Sequence, residues 1–445
     1  MRVLMLQFAS PASGEILPTF SHNLGVLAAL LKADGFSCRL CTLSGYKPDQ
    51  LQAALERHDP QVVLVEIDLF NITAAHRTIA DISRARKIPI VVCGQYATCR
   101  PGKAMSTPGV RALLLGEYDL PGLALMRALR DGKVEQPIAG VWTNTAAGLL
   151  RGPVAALTEN LDSLPPPDRE LFDYGRCVQS TRQACFKVGR GCPQWCAFCV
   201  NDWYMDIYHD KGTFVRRRSV ENVLEEVHSV VMAYQAAAEV KFYDHCFATD
   251  AEWLRRFTQA YPRRCALPYR CFVPVTCVTP EVAQLLAASN CRSVSTHVGA
   301  GSRFIRDEVL SIHISNERVV EACQILRQSG LSLTVEVFVG SPYESEITVE
   351  ETLVLLRRCQ ADRVISRVFY PAPGTRAAEL CAENGWISGR GEDNYRTGHS
   401  VLDMPSLPAE RIDMLASKLP SMVGQQSMLG RMLHRIIRPR HNPLR

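Results

Sequence analysis

Gly189–Cys199 reads GRGCPQWCAFC and places three cysteines, Cys192, Cys196 and Cys199, at gaps of four and three residues. The stretch opens on the apolar run CFKVGRG, which predicts a strand, and it carries glycine and proline, which predict a loop. Three thiolates on one short loop suit a cubane iron–sulfur cluster and leave one iron open to a substrate or cofactor. Zinc usually takes four ligands in two separated pairs, and no second CxxC follows here. Most of the 17 cysteines, such as Cys38, Cys93, Cys291, Cys323 and Cys381, stand singly in apolar segments, where a free thiol acts as a small hydrophobe.

Downstream of the loop, five further strand-like runs alternate with helical patterns: EVKFYDHCF, LPYRCFVPV, CRSVSTHVG, LSLTVEVFVG and RVISRVFYP. Ser219, Thr279 with Pro280, and Ser315 are good helix starts between them. Six β/α units make most of a barrel of the kind that closes with eight, whose chemistry sits at the carboxyl ends of its strands. Upstream, RVLMLQF, SCRLCTL, QVVLVEI, IPIVVCG and VRALLLG alternate with helical patterns such as HNLGVLAALLKADG. Doubly apolar strands in that arrangement predict a parallel sheet covered on both faces, with ligands beyond its carboxyl ends. The loops there are ASPASGEILPTF, GQYATCRPG and GEYD, whose glycines serve either a ligand or tight turns. NLDSLPPPDRELFDY reads as a linker.

The composition is that of an ordinary soluble globular protein: 445 residues, 47% hydrophobic and 21% charged. The net charge of +5, from 50 basic and 45 acidic residues, lies partly in the tail RMLHRIIRPRHNPLR, and no basic stripe points to nucleic acid. The opening MRVLMLQFAS lacks the features of a signal peptide, and no run approaches a membrane span. A cytoplasmic protein without a disulfide framework is expected.

At this point the chain resembles the radical S-adenosylmethionine (SAM) enzymes, whose signature is CxxxCxxC with an aromatic before the last cysteine, here Phe198. The segments RSVENVLEEV, KFYDHCF, VTPEVAQLLAASNCRSVS, GSRFIRDEVL and FYPAPGT are similar to successive landmarks of the branch with an N-terminal cobalamin-binding domain. So are LGVLAALL, Leu24 to Leu31, and the pair Gly116–Glu117. The resemblance implies an α/β fold throughout: a doubly wound, Rossmann-like cobalamin-binding domain (1–135), a linker (136–180), a partial (β/α)6 TIM-type radical SAM barrel (181–385) and a helical C-terminal region (386–445). It implies a [4Fe-4S] cluster on Cys192, Cys196 and Cys199, and SAM beside Phe198, Asp244 and Ser302. Cobalamin is then expected at Gly25, Gly94, Gly116 and Glu117.

Cleavage of SAM to a 5′-deoxyadenosyl radical is what the family's chemistry implies, with an electron donor such as flavodoxin or ferredoxin. Because no Asp-x-His-x-x-Gly segment occurs in the first domain, cobalamin there would lack a histidine below cobalt, which favours methyl transfer. The expected outcome is methylation of an unactivated carbon in a small-molecule or natural-product substrate. The alternatives are radical rearrangement, cyclisation or oxidation without methyl transfer, and, in another class, a non-catalytic cobalamin or cluster protein.

The chain departs from these relatives at Val298–Ser302, where a customary glutamate is gone, at His245 beside Asp244, and at the turn Gly340–Ser345. Strand periodicity sets Ser295, His297 and Gly299 on one face and Thr334, Glu336 and Phe338 on one face of the next strand. His297 and Glu336, with His245, Arg367 and Tyr370, are therefore expected in a polar substrate pocket, with His297, Glu336 and Tyr370 in catalytic roles. For each a structural alternative stands: a buried histidine with one hydrogen bond, or a glutamate paired with an arginine.

Overall fold

The computed structural model describes residues 1–9, 20–391, 395 and 397–437, with 425–437 as backbone only. The first sheet holds β1 (Arg2–Phe8), β2 (Ser37–Leu43), β3 (Val62–Glu66), β4 (Ile90–Cys93), β5 (Val110–Leu114), β6 (Val141–Thr145) and β7 (Gly148–Arg151). Its order is β2-β1-β3-β4-β5-β6-β7, and the first five strands are parallel. β3 and β4 are buried along their whole length, because α1 (His22–Ala33), α2 (Pro48–His58), α3 (Ile72–Ala85) and α6 (Asp119–Arg130) cover both faces. The chain reverses direction of travel between β1 and β3, and that switch point opens a crevice at their carboxyl ends. Short helices α4 (Gln95–Cys99) and α5 (Pro101–Met105) follow β4.

The sheet runs on past the expected boundary at residue 135. β6 and β7 form an antiparallel hairpin on its edge, ending at Arg151. Only Val141 and Thr143 of β6 are buried, so the period-two pattern is too short to announce a strand. The guanidinium of Arg151 lies 4.8 Å over the Trp142 ring and joins the two strands. Beyond it, residues 152–173 cross the junction with two single turns, and α7 (Tyr174–Thr181) leads into the second sheet.

That second sheet has six parallel strands in the order β15-β14-β13-β12-β11-β8, an open half-barrel. They are β8 (Gln183–Phe186), β11 (Glu239–Phe242), β12 (Tyr269–Phe272), β13 (Cys291–Gly299), β14 (Ser332–Val339) and β15 (Arg363–Val368). β8 ends earlier than the sequence suggests. After Phe186 the chain leaves the sheet, and β9 (Gly189–Arg190) pairs antiparallel with β10 (Arg216–Arg217).

Between the strands lie α8 (Val200–Ile207), α9 (Val220–Ala233), α10 (Ala251–Arg264), α11 (Pro280–Ala288), α12 (Asn316–Gln328) and α13 (Glu346–Cys359). Ser219, Thr279 and Ser315 cap α9, α11 and α12, each accepting a backbone N–H. Val335, Val337 and Val339 face these helices and are fully buried, while Glu336 and Phe338 face the open interior. α14 (Arg376–Glu383) follows β15, and α15 (Ala409–Ile437) packs on β15 through Ile412, Leu415, Ala416 and Leu419, covering that exposed edge. The C-terminal region as far as Val423 therefore contributes to the barrel core. No described helix is long and apolar enough to cross a membrane. Most of the loop Ala9–Phe20 and the last eight residues of the basic tail lie outside the described residues.

Candidate functional site

A cavity of about 610 Å³ lies where the carboxyl ends of the two sheets face each other. One wall comes from the first domain: Gln7 and Phe8 at the end of β1, Glu66 at the end of β3 and Asp68 after it, Gly94 after β4, and Gly116–Asp119 after β5. The other comes from the barrel: Lys187, Gly189–Cys192, Cys199, Asn201 and Tyr204, and the turn Asp244–Cys246 after β11.

The cysteine loop is tied down on several sides. Cys199 N–H donates to Cys196 O at 2.9 Å, Ala197 N–H to Leu310 O at 3.1 Å, and Ala377 N–H to Ala197 O at 3.0 Å. Asn201 Nδ2 donates to Cys192 O at 2.9 Å, closing the loop onto the start of α8. Cys192 and Cys199 line the cavity, and all three thiols are partly exposed. Burial pushes Cys196 up to about 12 and raises Cys199, while a thiol hydrogen bond from Cys246 lowers Cys192 to about 7. Among the described residues no three His, Cys, Asp or Glu side chains close around a single ion. A cubane holds its thiolates farther apart than one ion does, so three separated, partly open thiols on one loop fit a cluster and do not fit structural zinc.

Asp244, expected beside SAM, lines the cavity. Its two carboxylate oxygens accept from Val188 N–H and Gly189 N–H, both at 2.8 Å, which fixes the approach to the cysteine loop. Phe198 packs inside the barrel against Phe338 and His297, with ring centroids 4.9 and 5.7 Å away. Ser302 is buried where α-helical residues after β13 begin, its carbonyl accepting from Arg306 N–H, and it does not line the cavity.

Of the four residues expected to hold cobalamin, three line the cavity. Gly94 and Gly116 both have positive φ, yet the space of a Cβ is taken by protein atoms: Ile67 O at 2.6 Å and Tyr208 Oη at 2.0 Å. Glu117 is an interdomain clamp, pairing with Arg190 at 2.9 Å and with Arg216, while its N–H donates to Tyr208 Oη. Arg190 also pairs with Asp119. Gly25 lies away from the cavity, where α1 crosses the linker: a Cβ there would sit 2.7 Å from Pro167 Cβ. No histidine of the first domain lines the cavity among the described residues.

His297 and Glu336 are register partners on β13 and β14, as the alternation suggested. The carboxylate nevertheless turns to Arg367, Oε2 to Nε 2.8 Å, and not to the imidazole. His297 lies against Phe338, ring centroids 4.6 Å apart, and its Nε2 is buried without a hydrogen-bond partner among the described residues. Burial holds it near pKa 4. His245 stands at the cavity wall with its ring 5.1 Å from Phe272. Tyr370 is not brought to this group: its hydroxyl donates to Leu69 O at 3.1 Å and its ring packs on Phe70 and Tyr395, across the domain seam.

Several cavity residues escaped the sequence reading. Glu66, buried and hydrogen-bonded by Tyr118 Oη at 2.6 Å, is raised to about 8 by burial and by Asp68. The run Arg216–Arg218 looks like solvated surface but goes inward: Arg216 to Glu117, Arg217 to the carbonyls of Cys246 and Phe247, and Arg218 to Glu226. Its one signal is its place directly before the helix start at Ser219.

Residues 186–356 match the model of the Radical SAM superfamily. An uncharacterized methyltransferase of Pyrococcus horikoshii is 22% identical over 369 residues, spanning 82% of this chain and 78% of its own. The tRNA-2-methylthio-N(6)-dimethylallyladenosine synthase of Moorella thermoacetica is 28% identical over 210 residues, 44% of this chain and 45% of that one. Among solved structures, the radical SAM methyltransferase TsrM of Kitasatospora setae, with cobalamin and a [4Fe-4S] cluster bound, superposes with a TM-score of 0.69 at 19% identity, covering 86% of this chain and 75% of that one. The cobalamin-dependent SAM radical enzyme OxsB with aqua-cobalamin bound gives 0.67 at 14% identity, over 86% of this chain and 56% of that one. This chain therefore carries a radical SAM domain behind a Rossmann-like domain, in the fold of cobalamin-dependent radical SAM proteins.

Proposed function

We propose that the protein is a cobalamin-dependent radical SAM methyltransferase acting on an unactivated carbon of a small molecule. The observation that carries this reading is the single cavity with the cysteine loop on one wall and the carboxyl ends of a doubly wound sheet on the other. TsrM has been solved with tryptophan and a SAM analogue, which makes a small-molecule substrate the natural expectation here. When bound, the cluster, SAM and cobalamin supply the one-electron chemistry and the methyl group.

The chain's own residues hold and enclose them. Cys192, Cys196 and Cys199 are the thiolates for the cluster, and Asp244 keeps their loop in place. The backbone of Gly94, Gly116 and Glu117 forms the floor facing it, braced by Tyr208 and Thr98. No histidine is among the described residues of that wall, so a cobalamin held there would take no histidine ligand from it. Phe198, Phe338 and His297 make an apolar shelf inside the barrel, and Glu336 with Arg367 gives it one polar, orientable edge.

The full chain, purified and reconstituted without oxygen, is expected to hold one [4Fe-4S] cluster and one cobalamin. It should transfer deuterium-labelled methyl from SAM to product when an electron donor is supplied. Replacing all three cysteines by alanine should remove iron and SAM turnover together. Absence of cobalt from protein that does hold iron would turn the reading toward radical chemistry without methyl transfer.

A further inference from the structure

The turn after β11 carries a fourth thiol that no sequence motif singles out. Cys246 Sγ lies 3.0 Å from Cys192 Sγ, with the Cys246 S–H donating. Cys246 is only 6% exposed, and its backbone is fixed. Arg217, the register partner of Gly189 across the β9–β10 ribbon, donates to Cys246 O at 2.5 Å and to Phe247 O at 3.2 Å. Asp244, two residues earlier, accepts from Val188 and Gly189. Two points join the turn directly to the segment carrying the cysteine loop, a carboxylate to two amides and a thiol to a thiol, and a guanidinium on β10, the strand paired with β9, holds two carbonyls of the turn. The carboxylate and the guanidinium hold the thiols in register.

A hydrogen bond to a cluster's thiolate stabilises the extra negative charge of the reduced state, one of the levers by which a protein sets reduction potential. We propose that Cys246 is a positioning residue that donates an S–H···S hydrogen bond to the Cys192 thiolate and raises the reduction potential of a cluster held there. The inference rests on the assignment of that cluster to Cys192, Cys196 and Cys199. Cys246 itself ligates no iron in this scheme; it acts through Cys192.

The test uses the full-length protein reconstituted without oxygen, as parent, Cys246→Ser and Cys246→Ala. Iron and sulfide are assayed, and the cluster is titrated with a reductant while its electron paramagnetic resonance is followed. All three proteins should carry the same iron. At a fixed potential, Cys246→Ala should show about a tenfold lower ratio of reduced to oxidised cluster, about 59 mV for one electron. Cys246→Ser, which keeps a donor, should stay near the parent. Electron–nuclear double resonance of the reduced cluster should show an exchangeable proton in the parent that deuterated buffer removes and that Cys246→Ala lacks. Equal potentials in all three proteins would overturn the proposal, as would loss of iron from Cys246→Ala alone, which would make Cys246 a ligand. Iron missing from the parent would instead strike the cluster assignment itself.

Discussion

The seam between the two domains is held by paired charges, whereas the inner face of the half-barrel combines one ion pair, Glu336–Arg367, with a buried histidine nitrogen that has no partner among the described residues. In the seam the guanidiniums are spent: Arg190 and Arg216 share Glu117, Arg190 also takes Asp119, and Arg217 takes two carbonyls. On the inner face His297 keeps a buried, unpartnered Nε2, and Lys187 at the cavity wall has its pKa lowered by burial despite Asp244 nearby. A buried polar group without a partner costs free energy, so it persists where a ligand can complete it. Paired charges fix where the two walls stand. Unpaired ones are the better candidates for touching what lies between them.

The largest effect should come from breaking the seam. The Arg216 side chain is 2% exposed and Glu117 20%, so Arg216→Met leaves a largely buried carboxylate with Arg190 alone. Removing one partner of such a pair typically costs about 3–5 kcal/mol. Chemical denaturation of the full chain should show a loss in that range, and Arg216→Met with Glu117→Gln should recover part of it. If the two changes are simply additive, the pair is not what holds the domains in register.

This contrast also marks what the sequence could tell. The six barrel strands and the cysteine loop are legible because their patterns are local: alternation in β14, caps at Ser219, Thr279 and Ser315, and thiol spacing on one loop. Glu117 reads as a cofactor residue because a Gly-Glu pair after β5 is also local, whereas its partners lie 73 and 99 residues away in sequence. The neighbour that Gly25 must clear is likewise distant in sequence, since Pro167 belongs to the linker. Register sets Glu336 beside His297, as the alternation implies, yet the carboxylate turns to Arg367 on the next strand, which offers a charge where His297 offers a neutral ring. Cys246 stayed hidden among seventeen cysteines because nothing in KFYDHCF shows which thiol meets Cys192.

A middle-sized effect separates the inner face from the seam in function. His297→Ala and Glu336→Gln should each keep iron and fold, because neither touches the cysteine loop by hydrogen bond. Each should lower substrate-dependent product formation by at least about tenfold, equivalent to roughly 1.4 kcal/mol. Arg367→Lys should show a smaller loss, since it keeps the charge but not the fork geometry. Normal product rates in the first two variants would reduce the inner face to structure.

The smallest effect is a pH dependence that both regions share and that ranks them. His22, on α1 beneath the seam, is held well below its usual pKa by burial first and then by Lys187 and Arg169. His297 is held near 4 by burial, with Glu336 opposing. Both folded-state values lie below that of an unfolded histidine, so the unfolded chain binds protons that the folded one refuses as pH falls from 6.5. Stability is therefore full above about pH 6.5 and is lost on acidification, by on the order of 1 kcal/mol per pH unit for each histidine. For His297 the loss should end near pH 4, where the folded protein takes up the proton too. For His22, facing cations and not a carboxylate, the loss has the same sign. Denaturation midpoints between pH 7 and 5 should fall less steeply in His22→Gln and in His297→Gln than in the parent. Equal slopes for all three proteins throughout would mean that neither ring is neutral by burial, and the contrast between a cation-lined seam and a carboxylate-edged barrel would fail at its most quantitative point.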